Sequence, residues 1–305
     1  MAAGFSRVKC FLALSRTPHG LLDLATPALA ALIWFGRVPP FEVTAVGLLT
    51  VFAGYTAVYA LNDVVDCRVD REKLKASAGC SKAGYLDALF MRHPMAQGRV
   101  SFGEGLLWTL AWALMALFGA YYLNPVCAYI FLAGCALEVI YCLLLRVSHL
   151  RTLISGLVKT LGGVAAVFAV DPYPAPGFLL LLFLWLFCWE IGGQNIPADW
   201  HDIEEDKSLG AQTIPVRYGP ERSSAIVLKM LALSVVLSVL LVGISPLRFT
   251  PLMEGLAGAA GVFFLLLPAL QLYRTKEKEQ AAALFNRASY YPLAMLSLAL
   301  VNLMA

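Results

Sequence analysis

The sequence predicts an all-α, polytopic membrane protein, with nine transmembrane helices in a single bundle that forms one domain over residues 1–305. Three observations lead there. Apolar residues make up 60% of the chain and charged residues only 14%, against roughly 45–50% and about 25% in soluble domains. The apolar residues gather into runs of about 20, the length of one helical crossing of a bilayer core. Lys and Arg are crowded into alternate gaps between these runs. Together these exclude a soluble, disordered, coiled-coil or disulfide-scaffold reading. A formal net charge of +3 is too small to imply nucleic acid as a partner.

Taken in order, the apolar runs are Leu14–Phe35, Phe41–Asp63, Gly103–Leu123, Pro125–Leu145 and Thr152–Val170, followed by Pro176–Ile196, Ser224–Ile244, Leu252–Leu272 and Ala282–Leu303. Helix-breaking residues separate several of them, at Arg37-Val-Pro-Pro, Asn124-Pro125, Asp171-Pro-Tyr-Pro-Ala-Pro and Ser245-Pro246. The fifth run is the least regular, because Lys159 and three glycines interrupt it.

Of the 23 Lys and Arg residues, only Arg37 and Arg248 fall in the gaps after runs one and seven. Lys159 and Lys229 lie inside runs, and the others lie at the N-terminus or in and beside the gaps after runs two, four, six and eight. The positive-inside rule then places the N-terminus in the cytoplasm and the C-terminus outside. The expected setting is a bacterial or archaeal inner membrane, with the bilayer as the main environment and no obligate protein partner. Arg7 and Lys9 before an apolar run resemble a signal peptide, but the run is long and its loss would disturb the topology. The seven cysteines have no metal-ligand spacing and are expected as small buried fillers without a structural disulfide, and the four histidines show no zinc-like pairing.

Two acidic clusters come after runs two and six, inside the cytoplasmic stretches of about 64–102 and 197–223. The first reads Asn62-Asp63-Val-Val-Asp66-Cys-Arg-Val-Asp70. On a helix, residues 62, 66 and 70 share a face, as do 63, 66 and 70. The second places Asp199, Asp202 and Asp206 at i, i+3 and i+7, again one face. Both clusters are expected at helix C-termini, where the macrodipole already disfavours carboxylates. Six aspartates converging there repel one another unless counter-charged. Mg²⁺ resolves this, because it takes a few carboxylates together with phosphate oxygens. Arg68, Arg71 and Lys73 accompany the first cluster, and Lys207 and Arg217 the second. Acids, Mg²⁺ and flanking cations suit a diphosphate ligand.

At these residues the chain resembles the UbiA-type superfamily of intramembrane prenyltransferases. Asn62, Asp63, Asp66 and Asp70 fit its NDxxDxxxD pattern, and Asp202 and Asp206 fit its DxxxD element. The stretch Gly210-Ala-Gln-Thr213-Ile-Pro215-Val-Arg-Tyr-Gly219 is similar to the family continuation, and His93-Pro94-Met-Ala-Gln-Gly98-Arg99 resembles its R-P-[LI]-x-x-G stretch. Arg16-Thr-Pro18, Tyr141 and Arg146 fit more weakly. Two departures stand out. A His replaces the family Arg before Pro94, leaving its phosphate contact to Arg92 or Arg99, and residues 74–92 make a longer loop, read as a tolerated insertion.

The resemblance implies Mg²⁺-dependent transfer of a prenyl chain from a polyprenyl diphosphate to a small, usually aromatic acceptor. It implies that Asn62, Asp66, Asp202 and Asp206 hold Mg²⁺ against the diphosphate, with Asp63, Asp70 and Asp199 supporting that shell or a second ion. Arg16, Arg68, Lys73, Arg99, Lys159 and Lys207 become diphosphate contacts, and Asp66, Asp202, Tyr141 and Lys159 the groups closest to the chemistry. Lys159 is equally readable as a lysine snorkelling to the interface. Tyr141, Trp189 and Trp200 either line the site, stabilising allylic cation character through their rings, or belong to an interfacial aromatic belt. Asp23, Glu138 and Glu190 are intramembrane acids, any one of which could bind or deprotonate the acceptor or simply close an interhelical hydrogen bond. A terpene cyclase or a transferase to a non-aromatic acceptor fits the same motifs. An ion-coupled transporter fits less well, because such sites usually lie at the bilayer midplane.

Overall fold

The computed structural model describes residues 2–76 and 91–304, and every regular element among them is helical. Residues 77–90, most of the expected 74–92 insertion, lie outside the described residues.

The first apolar run is not one helix. It divides into α1 (Ala2–Leu14), α2 (Thr17–Asp23) and α3 (Ala25–Phe35), turning at Arg16, whose backbone is left-handed at φ 44°. The second run extends well beyond its apolar part as α4 (Phe41–Ala76), a 36-residue helix that carries the whole first acid cluster on its last turns. Next come α5 (Phe102–Leu123) and α6 (Pro125–Leu143). The start of α5 is a capping box in which Ser101 and Glu104 satisfy each other's backbone amides. At the start of α6, Asn124 accepts from the Val126 amide and Pro125 occupies the first turn.

α7 (Arg151–Val170) and α8 (Pro176–Trp189) pack closely through glycine. A Cβ on Gly163 would lie 2.5 Å from a Leu186 methyl, and one on Gly156 would lie 2.7 Å from the Phe187 ring. That close approach accounts for the glycines around Lys159. α8 then passes into a π-helical stretch, Glu190–Asn195, before α9 (Ile196–His201) and α10 (Ile203–Ser208). α11 (Ile214–Ile244) is broken at Gly219, where φ is 71°, immediately before Pro220. α12 (Pro251–Gly261) and α13 (Leu267–Thr275) flank a second π-helical stretch, and α14 (Lys278–Met304) closes the bundle.

Among the described residues, eight helical stretches are long and apolar enough to cross a membrane. The expected ninth lies within α14, which has the length at 27 residues but not the apolarity, since Asn286, Arg287 and Ser289 interrupt it. Its buried residues Ala281, Leu284, Ala288, Tyr291, Met295 and Ala299 nonetheless form one stripe at helical spacing. That stripe joins the main core, which also takes in α3, α8 and α11. A smaller core ties α1 to α4 and to the segment around Met95 and Val100. The helices also enclose a cavity.

Candidate active site

The cavity has a volume of about 570 Å³ and is lined from α2, α3, α4, α5, α6, α7, the π-helical stretch and α14. One end is walled by Asn62, Asp63, Asp66 and Asp70 on α4, opposite Asp199, Asp202 and Asp206. Much of the remaining wall is apolar, including Leu48, Val51, Ala116, Phe131 and Leu161, but it also carries His19, Tyr59, Ser155, Lys159 and Glu190. Both acid clusters thus face the same space, as their spacing predicts.

Cations stitch them together. Lys73 of the first cluster's helix lies 3.3 Å from Asp206 of the second. Arg92 approaches Asp202 at 2.7 Å and Glu205 at 3.9 Å. Arg151, only 5% exposed, donates to Asp199 at 3.3 Å and stacks its guanidinium 4.0 Å from the Tyr141 ring centre. The Tyr141 hydroxyl accepts from the Asn195 amide at 3.3 Å. Arg16 donates to Asn62 Oδ1 at 3.2 Å and lies 3.9 Å from Asp63, while Asn62 Nδ2 donates to Glu138 at 2.7 Å. Each aspartate of the second cluster therefore has its own basic neighbour, all three borrowed from distant parts of the chain.

His93 takes the place that the resemblance assigns to Arg, and it serves the first cluster. Its Nδ1 is 2.8 Å from Asp70 and 3.5 Å from Asp63. Burial works against the imidazolium, but Asp70 and Asp63 outweigh it and hold its pKa at about 9. At Asp206, burial raises the carboxyl above its ordinary range against the pull of Lys73. Both Arg16 and His93 have left-handed backbones, at φ 44° and 49°. Such conformations cost on the order of 1–3 kcal/mol each for non-glycine residues and persist where the surroundings hold them. Both side chains are held by Asp63.

Several expectations need correction. Arg68, Arg99 and Lys207 do not reach the cavity. All three are exposed, and Lys207 pairs instead with Glu204 at 3.4 Å. Arg68 stands two residues from Asp66, about 200° around the helix, and Lys207 stands one residue from Asp206, about 100° around. Arg99 comes after a turn at Gly98, so the charge beside Asp202 comes from Arg92. Lys159 does line the cavity, but about 12 Å along α7 from Arg151 at 1.5 Å per residue. There it donates to Tyr59 at 2.7 Å and pairs with Asp23, remote from the acid clusters. Trp189 and Trp200 are core residues, and Trp189 donates to the Ala288 carbonyl. Nor is the second cluster one helical face at a C-terminus. The helix breaks at Asp202, and Asp206 sits in the first turn of α10.

Sequence reasoning missed Arg151 as a site residue and left His93 without a role. Arg151 counts as an ordinary basic residue of a cytoplasmic gap. Only the packing that buries it against Tyr141 marks it out.

Comparison with known proteins decides what the arrangement belongs to. Residues 24–296 match the UbiA prenyltransferase family. The chain belongs to that family. It is 26% identical over 262 residues to 4-hydroxybenzoate octaprenyltransferase of Serratia proteamaculans, covering 85% of this chain and 81% of that one. It is 25% identical over 219 residues to digeranylgeranylglyceryl phosphate synthase of Thermococcus sibiricus, 72% of each. Among solved structures, a UbiA homolog from Aeropyrum pernix K1 superposes with a TM-score of 0.75 at 21% identity, over 93% of this chain and 97% of that chain. A UbiA homolog from Archaeoglobus fulgidus, bound to GPP and Mg²⁺, gives 0.69 at 16% identity, over 97% and 100%. This UbiA-family chain is accordingly an integral, multi-pass membrane prenyltransferase.

The donor set suits divalent cations bound through oxygen. Among the described residues, Asp199 Oδ2 is buried and accepts no hydrogen bond, whereas Asp70 Oδ2 faces His93 Nδ1 at 2.8 Å and Asp206 Oδ1 faces Lys73 at 3.3 Å. A buried oxygen without a donor is costly, and a cation held between the clusters removes that cost.

Proposed function

We propose that the protein transfers a prenyl chain from a prenyl diphosphate to a small aromatic acceptor in a Mg²⁺-dependent reaction. The observation that carries this is the convergence of seven polar residues from two motifs on one end of a largely apolar cavity. The polar end matches a diphosphate, and the apolar wall matches an isoprenoid tail. The A. fulgidus homolog of the same fold binds GPP and Mg²⁺. The Serratia relative's name supplies an aromatic acceptor, which supports the aromatic reading.

In this reading Asn62, Asp63, Asp66 and Asp70 hold Mg²⁺ on one side, and Asp199, Asp202 and Asp206 on the other. When bound, Mg²⁺ supplies positive charge that stabilises the departing diphosphate. Lys73, Arg92, Arg151 and Arg16 add fixed positive charge at that end, already oriented by their aspartates, so little reorganisation is needed as charge develops. Tyr141, its ring fixed by Arg151 and Asn195, faces the region where allylic cation character appears. The apolar wall keeps water from that centre. We read residues 1–305 as one domain, with the N-terminus and both acid clusters on the cytoplasmic side of a prokaryotic inner membrane and the C-terminus outside. The distribution of Lys and Arg supports this orientation.

The test is to incubate purified protein with Mg²⁺, prenyl diphosphates of several lengths and a panel of acceptors, and to analyse products by mass spectrometry. A prenylated aromatic product is expected. Products without incorporated acceptor point to a cyclase. Full activity in excess EDTA contradicts the metal assignment.

A further inference from the structure

The cavity has a second polar patch, deep among its apolar walls, which the diphosphate end leaves unused. It is made by Lys159 and Ser155 of α7, Tyr59 of α4 and Glu190 of the π-helical stretch, with Asp23 and His19 of α2 behind. Sequence alone leaves Asp23, Glu138 and Glu190 as equivalent intramembrane acids, and the structure separates them. Asp23 is fully engaged, accepting from Lys159 and Tyr59 on one oxygen and lying 3.5 Å from His19 on the other. Glu138 accepts from Asn62 and so belongs to the diphosphate end. Glu190 is different. It lines the cavity, is 3% exposed, and accepts from Ser155 at 3.1 Å through Oε1. Among the described residues its Oε2 accepts no hydrogen bond. A buried carboxylate oxygen with no donor, on a residue that lines a cavity, calls for a proton-donating ligand.

We propose that Glu190 and Lys159 form the acceptor subsite, with Glu190 taking the acceptor's hydroxyl proton, and that they select a neutral, hydroxylated ring over a carboxylated one. This deepens the prenyl-transfer reading and rests on it. The spacing suits the role. Lys159 lies about 12 Å along α7 from Arg151. That spans a breaking C–O bond, an approach of about 3–3.5 Å between reacting atoms, and a small ring. Charge sets the selectivity. Asp23 already pairs with both Lys159 and His19, while Glu190 makes no ion pair among the described residues, so a ring carboxylate beside Glu190 meets like charge in a dry site.

The step balances. The C1–O bond breaks with its electron pair leaving on diphosphate. A ring carbon bonds C1 as Glu190 receives the hydroxyl proton, giving a dienone. The ring C–H proton then leaves with the diphosphate, and Glu190 returns the hydroxyl proton, restoring the aromatic ring. Lys159, pinned by Asp23 and Tyr59, stabilises the partial negative charge on the dienone oxygen in between.

The experiment uses full-length protein in detergent or liposomes with Mg²⁺ and geranyl diphosphate. Its acceptors are 2-methylhydroquinone and 2,5-dihydroxybenzoate, which differ by methyl against carboxylate. The wild type is expected to prefer the methyl compound at least tenfold in kcat/KM. Glu190→Gln keeps the shape and the Ser155 bond. It is expected to lower transfer to methylhydroquinone at least 100-fold while acceptor-free release of diphosphate falls far less. The preference between the two acceptors should collapse to within about threefold. Lys159→Met combined with Asp23→Asn, which removes both charges together, should raise the acceptor KM tenfold with the donor KM within twofold. If Glu190→Gln retains the wild-type ratio of transfer to hydrolysis and the wild-type acceptor preference, the subsite assignment is overturned while prenyl transfer stands. If the wild type neither releases diphosphate nor prenylates any acceptor, the prenyl-transfer reading fails and the subsite falls with it.

Discussion

The first acid cluster rides on one uninterrupted helix, whereas the second is assembled from a π-helical stretch and two six-residue helices. On α4, Asn62 to Asp70 keep a fixed register within 36 helical residues. Across the cavity, Asp199 comes after the π-helical residues 190–195, Asp202 ends α9, and Asp206 opens α10. The cations differ in the same sense. Asp63 and Asp70 share His93, while Asp199, Asp202 and Asp206 each rely on one basic residue from elsewhere, Arg151, Arg92 and Lys73. A continuous helix needs little outside help to aim its carboxylates. A broken one needs each carboxylate held individually, and it depends on the backbone distortion before it.

The largest expected effect tests that dependence. Deleting Gly192 converts the π-helical stretch towards α-helix and takes away the wide turn from which Asp199 and the residues after it are presented. Prenyl transfer should fall at least 10³-fold. Deleting Val46, far from the acid cluster in α4's apolar part, rotates the first cluster by about 100° and should do no less harm. If the Gly192 deletion folds and keeps near-full turnover, the second cluster does not depend on the distortion.

Next come the central carboxylates. Asp66→Ala and Asp202→Ala should each lower kcat about 10²-fold or more, corresponding to about 3 kcal/mol of lost transition-state stabilisation. The double variant should cost less than the sum of the two, because both serve one diphosphate unit. Full additivity would place the two clusters in separate sites.

The borrowed cations sharpen the comparison at smaller scale. Arg92→Met should lower kcat/KM about tenfold, since charge-assisted contacts are worth about 1.5–3 kcal/mol. Arg99→Met and Arg68→Met should stay within twofold, because neither reaches the cavity. Glu205→Ala should stay under tenfold: it shares Arg92 with Asp202 but does not line the cavity. The smallest effect is purely structural. Ser101→Ala removes the cap of α5 and should cost about 1 kcal/mol of stability without changing kcat. Thermal unfolding and steady-state rates check the pair.

Much of this was legible in the sequence, and the residues show where legibility stops. Composition and run length gave the helical membrane bundle, and i, i+4 spacing correctly aligned the aspartates of α4 because that helix is regular. The same spacing brought Asp199, Asp202 and Asp206 to the cavity but misdescribed their backbone, since nothing in Glu190-Ile-Gly-Gly-Gln-Asn195 announces a π-helical turn. Basic residues were the weak point. Arg68 and Lys207 were chosen for nearness along the chain, and the helical rotation that turns them to the surface outweighs that nearness. Arg151 and Arg92 reach the site only through tertiary packing, and Lys159, which sequence placed on the diphosphate, is claimed by Asp23 deeper in the cavity.

The central claim is that both acid clusters act on one metal-bound diphosphate. The direct measurement is calorimetric binding of geranyl thiodiphosphate, a slowly reacting donor analogue, to the wild type, Asp66→Ala and Asp202→Ala, with Mg²⁺ and with EDTA. Binding by the wild type should require Mg²⁺, and each variant should weaken it at least tenfold although the two residues lie on opposite walls. Wild-type affinity in EDTA, or an Asp202→Ala variant that binds as the wild type does, would contradict the account.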